Sequence, residues 1–358
     1  QAGSTWHHVA AQQLEGQGMN PLSPSIAAIG PATWQQGPMC GFHAEFHDLD
    51  HYIRVITDRI WEGRRLEDIR LYYSDPCIVE TPSSVSTTVQ DVIDGTRATL
   101  TTFPDRRLLA EDVIQSGDPD GGYLSSHRII SPMTHLGAGA FGNPTGRKVQ
   151  VRTVADCVCK DNRIVHEWLV RDQAAIALQI GTTPRELAQR WLNERGWCKP
   201  VAGPAPAGYV SDISTNSLAT GYARAIEDFA QGQFGKIDAA YDDAVHHIGP
   251  GGTTCYGHGE VRAFWQGLFG ALQVSSLALE HLAFQAGGGR ADRAALRFRA
   301  KTRHSPRGES MERYGKYSGQ EVELMGICHV EFWRGRVLRE WVLIDDVAIW
   351  MQVLHPDH

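Results

Sequence analysis

The sequence predicts an α+β protein built by tandem duplication of one unit, in which helices precede a run of long antiparallel strands. Three observations carry this. "RIVHEWLVRD" (163–172) returns as "RVLREWVLID" (336–345), with Arg, Glu, Trp and Asp at the same places. In each half, helical periodicity gives way to strand-like alternation, the order expected of an α+β domain. The 358 residues are enough for two domains with cores of their own.

Residues 1–44 are rich in Gly, Pro, Gln and Ala without periodicity, and predict an irregular arm. The first unit is expected over 45–181. "DLDHYIRVITDRIWEGRRLEDIRLYYSD" has a helical rhythm broken at Gly63, which predicts two helices. "CIVETP" reads as a short strand and "TTVQDVIDGTRATLTTF" as a helix ending at Pro104. Four strand-like runs follow, the last being "RIVHEWLVRD", and "DQAAIALQIG" closes the unit. Residues 182–214 predict a helix capped by Thr183 ahead of Pro184, then the linker "CKPVAGPAPAG". Residues 215–358 repeat the plan. Tyr73 and Pro82 align with Tyr241 and Pro250, and "GNPTG" aligns with "GKYSG".

Composition narrows the function. A hydrophobic content of 42% with 21% charged residues is that of a soluble globular chain. No apolar run approaches the ~18 residues of a membrane span, and the first basic residue is Arg54, so no membrane partner or leader is expected. The net charge of −7 with scattered basic residues argues against nucleic acid. Seven cysteines without a CxxC pair predict packed thiols in a reduced, cytoplasmic setting. His43, His47 and His51 recur at i, i+4, but a stripe of that length cannot converge on one ion, so no metal is expected. "GAGAFGNPTG" joins two strands, so it is no dinucleotide loop.

"FPDRR", "THLGAGAFGNPTGRKV" and "DNRIVHEWLVRDQAAIALQIG" occur in order over Phe46–Gly181. Together they resemble the SnoaL-like proteins (polyketide and ester cyclases), which share the nuclear transport factor 2-like (NTF2-like) fold. The second half matches the fold but departs from the motifs. The resemblance implies two cone-shaped domains, each a curved antiparallel sheet wrapped around helices and enclosing a pocket. It also implies pairing of the two units through their sheets as an internal pseudo-dimer, with further homo-oligomerisation left open. It implies cofactor-free chemistry, with an acidic residue of the late strands as general acid/base and His135 near the pocket mouth.

Strand alternation nominates the candidates. In 163–172, Ile164, His166, Trp168, Val170 and Asp172 share a mostly apolar side, expected to face the interior. An Asp172 carboxyl there would have a raised pKa suited to catalysis; the alternative is that it caps the closing segment or pairs with Arg171 or Arg128. Asp156 sits between apolar neighbours, with His329 at the equivalent point of the second copy, which favours a pocket position. Tyr123, Ser125, His127 and Ile129 share another side, so His127 is expected inward, opposite a solvent-facing row Arg297, Arg299, Lys301 and Arg303 in the second copy. Tyr73, Glu80, Tyr123, Trp168, Trp341, Asp345 and His329 complete the expected site as substrate contacts. The leading expectation is a lyase, isomerase or cyclase acting on a small carbonyl- or hydroxyl-bearing molecule in the first pocket. The alternative is a non-catalytic small-molecule binder.

Overall fold

In the computed structural model, residues 38–197, 199–200, 213–307 and 311–355 are described. Most of the expected arm and much of the linker lie outside them.

The first unit runs α1 (Leu49–Thr57), α2 (Ile69–Tyr72), β1 (Tyr73–Thr81), β2 (Ser84–Ser86), α3 (Val89–Thr102), β3 (Leu109–Asp118), β4 (Gly122–Thr134), β5 (Lys148–Lys160), β6 (Arg163–Arg171) and α4 (Gln173–Ile180). After α5 (Pro184–Arg195), the second unit runs α6 (Ser217–Ala230), α7 (Ile237–Ala240), β7 (Tyr241–Ile248), β8 (Thr254–Tyr256), α8 (Gly257–Ala271), β9 (Leu272–Gln285), β10 (Asp292–His304), α9 (Met311–Tyr314), β11 (Glu321–Trp333), β12 (Arg336–Leu343) and α10 (Asp346–Leu354). The two sheets share one strand order, β2-β1-β6-β5-β4-β3 and β8-β7-β12-β11-β10-β9. All pairs are antiparallel except β1 with β6 and β7 with β12, so each sheet is mixed.

Local chemistry sets the helix ends. Thr88 and Asp91 close a capping box at the start of α3, and Thr183 and Glu186 do the same for α5, with Pro184 at its first position. α1 buries Tyr52, Ile53 and Ile56 against Phe42, Phe46 and Cys159. The expected arm therefore ends earlier than its composition suggests: Met39 and Phe42 already belong to the first core. His47 and His51 stack with ring centroids 4.6 Å apart, and no metal-ligating cluster occurs among the described residues.

Each sheet is covered on both faces. One face packs on the unit's own helices. The other packs on the opposite sheet, where Leu124, Val154, Val158, Trp168 and Val170 meet Ile248, Met325, Ile327, Trp341 and Leu343. Two mutually related contacts flank this layer. The Arg128 guanidinium lies over the Trp341 ring at 3.6 Å, and that of Arg297 over Trp168 at 3.7 Å. Between them, Arg297 Nη1 pairs with Asp156 Oδ2 at 2.7 Å. Arg128 Nη1 donates to His329 Nδ1 at 3.2 Å. His329 Nε2 and Ser126 Oγ are 2.7 Å apart, and Ser126 donates to Asp156. Burial holds His329 well below its ordinary pKa, so it is neutral, accepting at Nδ1 and donating at Nε2. The chain Arg128–His329–Ser126–Asp156–Arg297 thus satisfies each of these contacts across the two units.

These contacts correct the orientation expected for several residues. His166, Trp168, Asp156, Trp341 and His329 lie between the sheets, not inside a cone. Glu80 does too: it accepts from His166 Nε2 at 2.8 Å and from Arg299 Nη2 at 3.2 Å. Arg297, expected in solvent, is 2% exposed, whereas Lys301 and Arg303 of that row are exposed. The physical reason is that the pairing buries both faces, so an apolar side of a strand no longer marks the unit's interior. A bulge adds to it. Cys159 pairs with Ile164 while Val158 pairs with His166, so Val165 is the extra residue and Ile164 falls on the opposite face from His166.

Candidate active site

The first unit encloses a cavity of about 600 Å³. That is within the range of small-molecule sites. Its walls come from the inner faces of α1, α3 and β4–β6, with Trp191 of α5 at one end. The floor is built by small side chains. Across β5, Ala155 stands between His127 and Leu169, Cys157 between Ser125 and Glu167, and Thr153 between Ile129 and Arg171.

Glu167 is the central polar group. The residue is 5% exposed and lines this cavity. Burial raises its pKa to about 7, against the opposing pull of the Tyr73 hydroxyl and the Arg171 charge. Tyr73 Oη donates to Glu167 Oε2 at 3.0 Å. His127 lines the cavity as expected from strand alternation. Burial lowers its pKa to about 3, so the imidazole is neutral, and its Nε2 has no partner among the described residues. β4 and β6 are two strand spacings apart and Glu167 lies two residues along from the position level with His127, so their backbones are about 12 Å apart, leaving room for a substrate between the side chains. Arg171, Arg106, Thr153 and Gln173 also line the cavity.

The repeated Asp ends as the alternative reading of it foresaw. Asp172 Oδ1 accepts from Ala175 N at 3.0 Å, capping α4. It also accepts from Gly251 N at 2.8 Å and Gly252 N at 3.0 Å of the second unit. Burial raises its pKa to about 6, but all these partners hold it as a clamp away from the cavity wall. Asp345 caps α10 through Val347 N and Ala348 N. Unlike Asp172 it lines the first cavity, and burial raises it to about 7. His135 is fully buried beside Phe103, with Nδ1 3.2 Å from Thr145 Oγ1, behind the cavity wall. Tyr123 accepts from Cys40 N and packs edge-on against Phe42, at the far end of the core.

Of the expected site residues, the structure brings Tyr73, His127 and Asp345 to one cavity. The sequence reading missed Glu167, Arg171 and Arg106. A signal for Glu167 existed: the Glu recurs in the second copy as Glu340, and Tyr73 as Tyr241. There the pair persists without space around it. Glu340 Oε1 accepts from Tyr222 and Tyr241 at 2.7 Å each, and its Oε2 meets His247 Nδ1 at 2.6 Å. The second interior is packed with Phe229, Trp265, Leu296 and Phe298. Ala295 stands opposite His329 as Ser126 stands opposite Asp156, so Leu296 occupies the place of His127. Phe298 lies over Gly326, where a Cβ would come within 2.5 Å of its ring.

Comparison with known proteins agrees with this architecture. Residues 52–180 match the family model described as SnoaL-like polyketide cyclase, and residues 222–340 match that described as SnoaL-like domain. Among solved structures, IdmH of Streptomyces antibioticus is 21% identical over 38% of this chain and 100% of its own, with a TM-score of 0.34. A SnoaL-like polyketide cyclase of Agrobacterium tumefaciens is 19% identical over 39% and 99%, with a TM-score of 0.30. TsrD of Streptomyces laurentii is 15% identical over 37% and 94%, with a TM-score of 0.33. No curated protein matches the chain in sequence.

Proposed function

We propose, from the premise that this chain belongs to the SnoaL-like family as a tandem of two such domains, that its first domain is an acid/base enzyme with Glu167 as the proton-transferring group. One observation supports this above the others. A carboxyl poised near neutrality, hydrogen-bonded to a tyrosine, faces a cavity large enough for a substrate. Its reaction class is proton abstraction beside a carbonyl, completed as a cyclisation, elimination or isomerisation of a small carbonyl- or hydroxyl-bearing molecule.

The ionised Glu167 takes the proton from carbon. The enolate oxygen that develops is stabilised by a donor in the same wall, Arg171 or the N–H of neutral His127. Glu167 then returns the proton to carbon, to a leaving hydroxyl or to a new alkoxide. Tyr73 keeps the carboxylate oriented and lowers its pKa relative to an unassisted buried carboxyl. The second domain, with its Glu340 enclosed, serves as the scaffold that covers the sheet and carries Asp345 to the cavity end.

The test is untargeted. Wild type, Glu167→Gln and Asp172→Asn proteins are incubated with a soluble extract of the source cell and metabolites compared by mass spectrometry. A compound consumed by wild type and by Asp172→Asn but spared by Glu167→Gln supports the proposal. A compound retained unchanged by all three proteins makes this a binding module instead.

A further inference from the structure

Two guanidinium groups, that of the buried Arg106 and that of the half-buried Arg171, face the cavity. Arg106 follows α3 and is 2% exposed; its Nε and Nη2 reach only Ser131 Oγ, at 3.3 and 3.4 Å, and its guanidinium lies 5.0 Å from the centre of the Trp61 ring. Arg171 ends β6, and its Nε has no partner. Among the described residues, neither makes an ion pair with a carboxylate; burial first, and then the nearby Arg171 charge, lower the pKa of Arg106, while Asp345 and Glu167 attract Arg171 from beyond ion-pair distance. Elsewhere in this molecule buried arginines are paired: Arg297 with Asp156 and Glu280, Arg128 with Glu111, Arg293 with Asp112. A buried cation left without an anion is costly unless something supplies one.

We infer that Arg106 and Arg171 form an anion-binding subsite, and that the cavity takes an apolar, ring-sized molecule bearing a carboxylate. The cavity walls that surround the subsite, including Ile53, Ile60, Phe103, Ile129 and Phe141, suit the apolar body. Planar guanidinium groups match a carboxylate in geometry. A dianion is disfavoured because Glu167 and Asp345 share the cavity. The remaining titratable groups lining the cavity are His127, held neutral, Tyr73, Cys157, Arg195 and Asp91, whose carboxylate is engaged by Thr88 at the start of α3. The inference rests on the first cavity being the working site, and it adds the class of molecule that site accepts.

The experiment compares 2-naphthoate with the neutral, isosteric 2-naphthamide by calorimetry on the full chain. Wild type is expected to bind the carboxylate at least about tenfold more tightly. That preference should vanish in Arg171→Gln and in Arg106→Gln; should the buried Arg106 variant not fold, Arg171→Gln decides alone. Glu167→Gln should keep the preference while losing turnover, so failure of the proposed chemistry and failure of the subsite read differently. Equal affinities in wild type, binding of neither compound, or a preference that survives in Arg171→Gln overturns the inference.

Discussion

Replacing Asp156 by asparagine should uncouple the two domains without touching the chemistry. Asp156 Oδ2 is 2.7 Å from Arg297 Nη1, and both side chains are nearly inaccessible. Burial lifts the Asp156 pKa above its ordinary value even though Arg297 and Ser126 both pull it down, so desolvation outweighs what the pair gains. Removing one partner of such a pair strands the other, at about 3–5 kcal/mol. Arg297 keeps Glu280 at 3.2 Å, which places Asp156→Asn at the lower end, about 3 kcal/mol. Replacing both members by apolar residues (Asp156→Leu with Arg297→Met) should return stability to within about 1 kcal/mol of wild type. Urea unfolding followed by tryptophan fluorescence, run as a double-mutant cycle, measures this. A loss below about 1 kcal/mol for Asp156→Asn, or a double variant no better than the single ones, refutes the reasoning. Lost turnover at unchanged stability would instead return Asp156 to the site.

Two further outcomes follow from the same structure. Asp172→Ala removes the α4 cap and both bonds to Gly251 and Gly252, a loss of about 3 kcal/mol by thermal or urea unfolding, whereas Asp172→Asn keeps the cap and should keep turnover. The carboxyls of Glu167 and Asp345 are both raised to about 7 from ordinary values of 4.5 and 3.8. Between those limits the folded state holds protons that the unfolded state has released, so stability should fall as pH rises from 5 to 7.5. Glu167→Gln should flatten that fall, by about 3 kcal/mol at most, and a pH series of unfolding midpoints reads it.

The duplication, the order of elements and the Thr183 cap were legible because they are local or repeated. The orientation of β5 and β6 was not, because alternation identifies two faces of a strand without naming what covers each. Asp156 and His329 recur at one position for a reason opposite to the one expected: the equivalence marks a shared interface, where each reaches an arginine of the other domain. His127 came out inward because the outer side of its strand carries Arg128, which the opposite sheet's Trp341 accommodates. The Val165 bulge, invisible to a strict period of two, moved Ile164 to the inner face. Glu167 falls on the side of β6 opposite the mostly apolar one, so alternation does not nominate it, although a Glu and a Tyr kept at equivalent places in both copies, Glu167 with Glu340 and Tyr73 with Tyr241, signal a buried pair.

The most direct measurement is the titration of Glu167 itself. Carbon-13 NMR of protein labelled at the glutamate carboxyls, compared with Glu167→Gln, isolates its resonance. The account predicts a midpoint near 7 that moves higher in Tyr73→Phe, where the stabilising hydroxyl is gone. A midpoint near the ordinary 4.5, unmoved by Tyr73→Phe, would show an unperturbed carboxyl and contradict it.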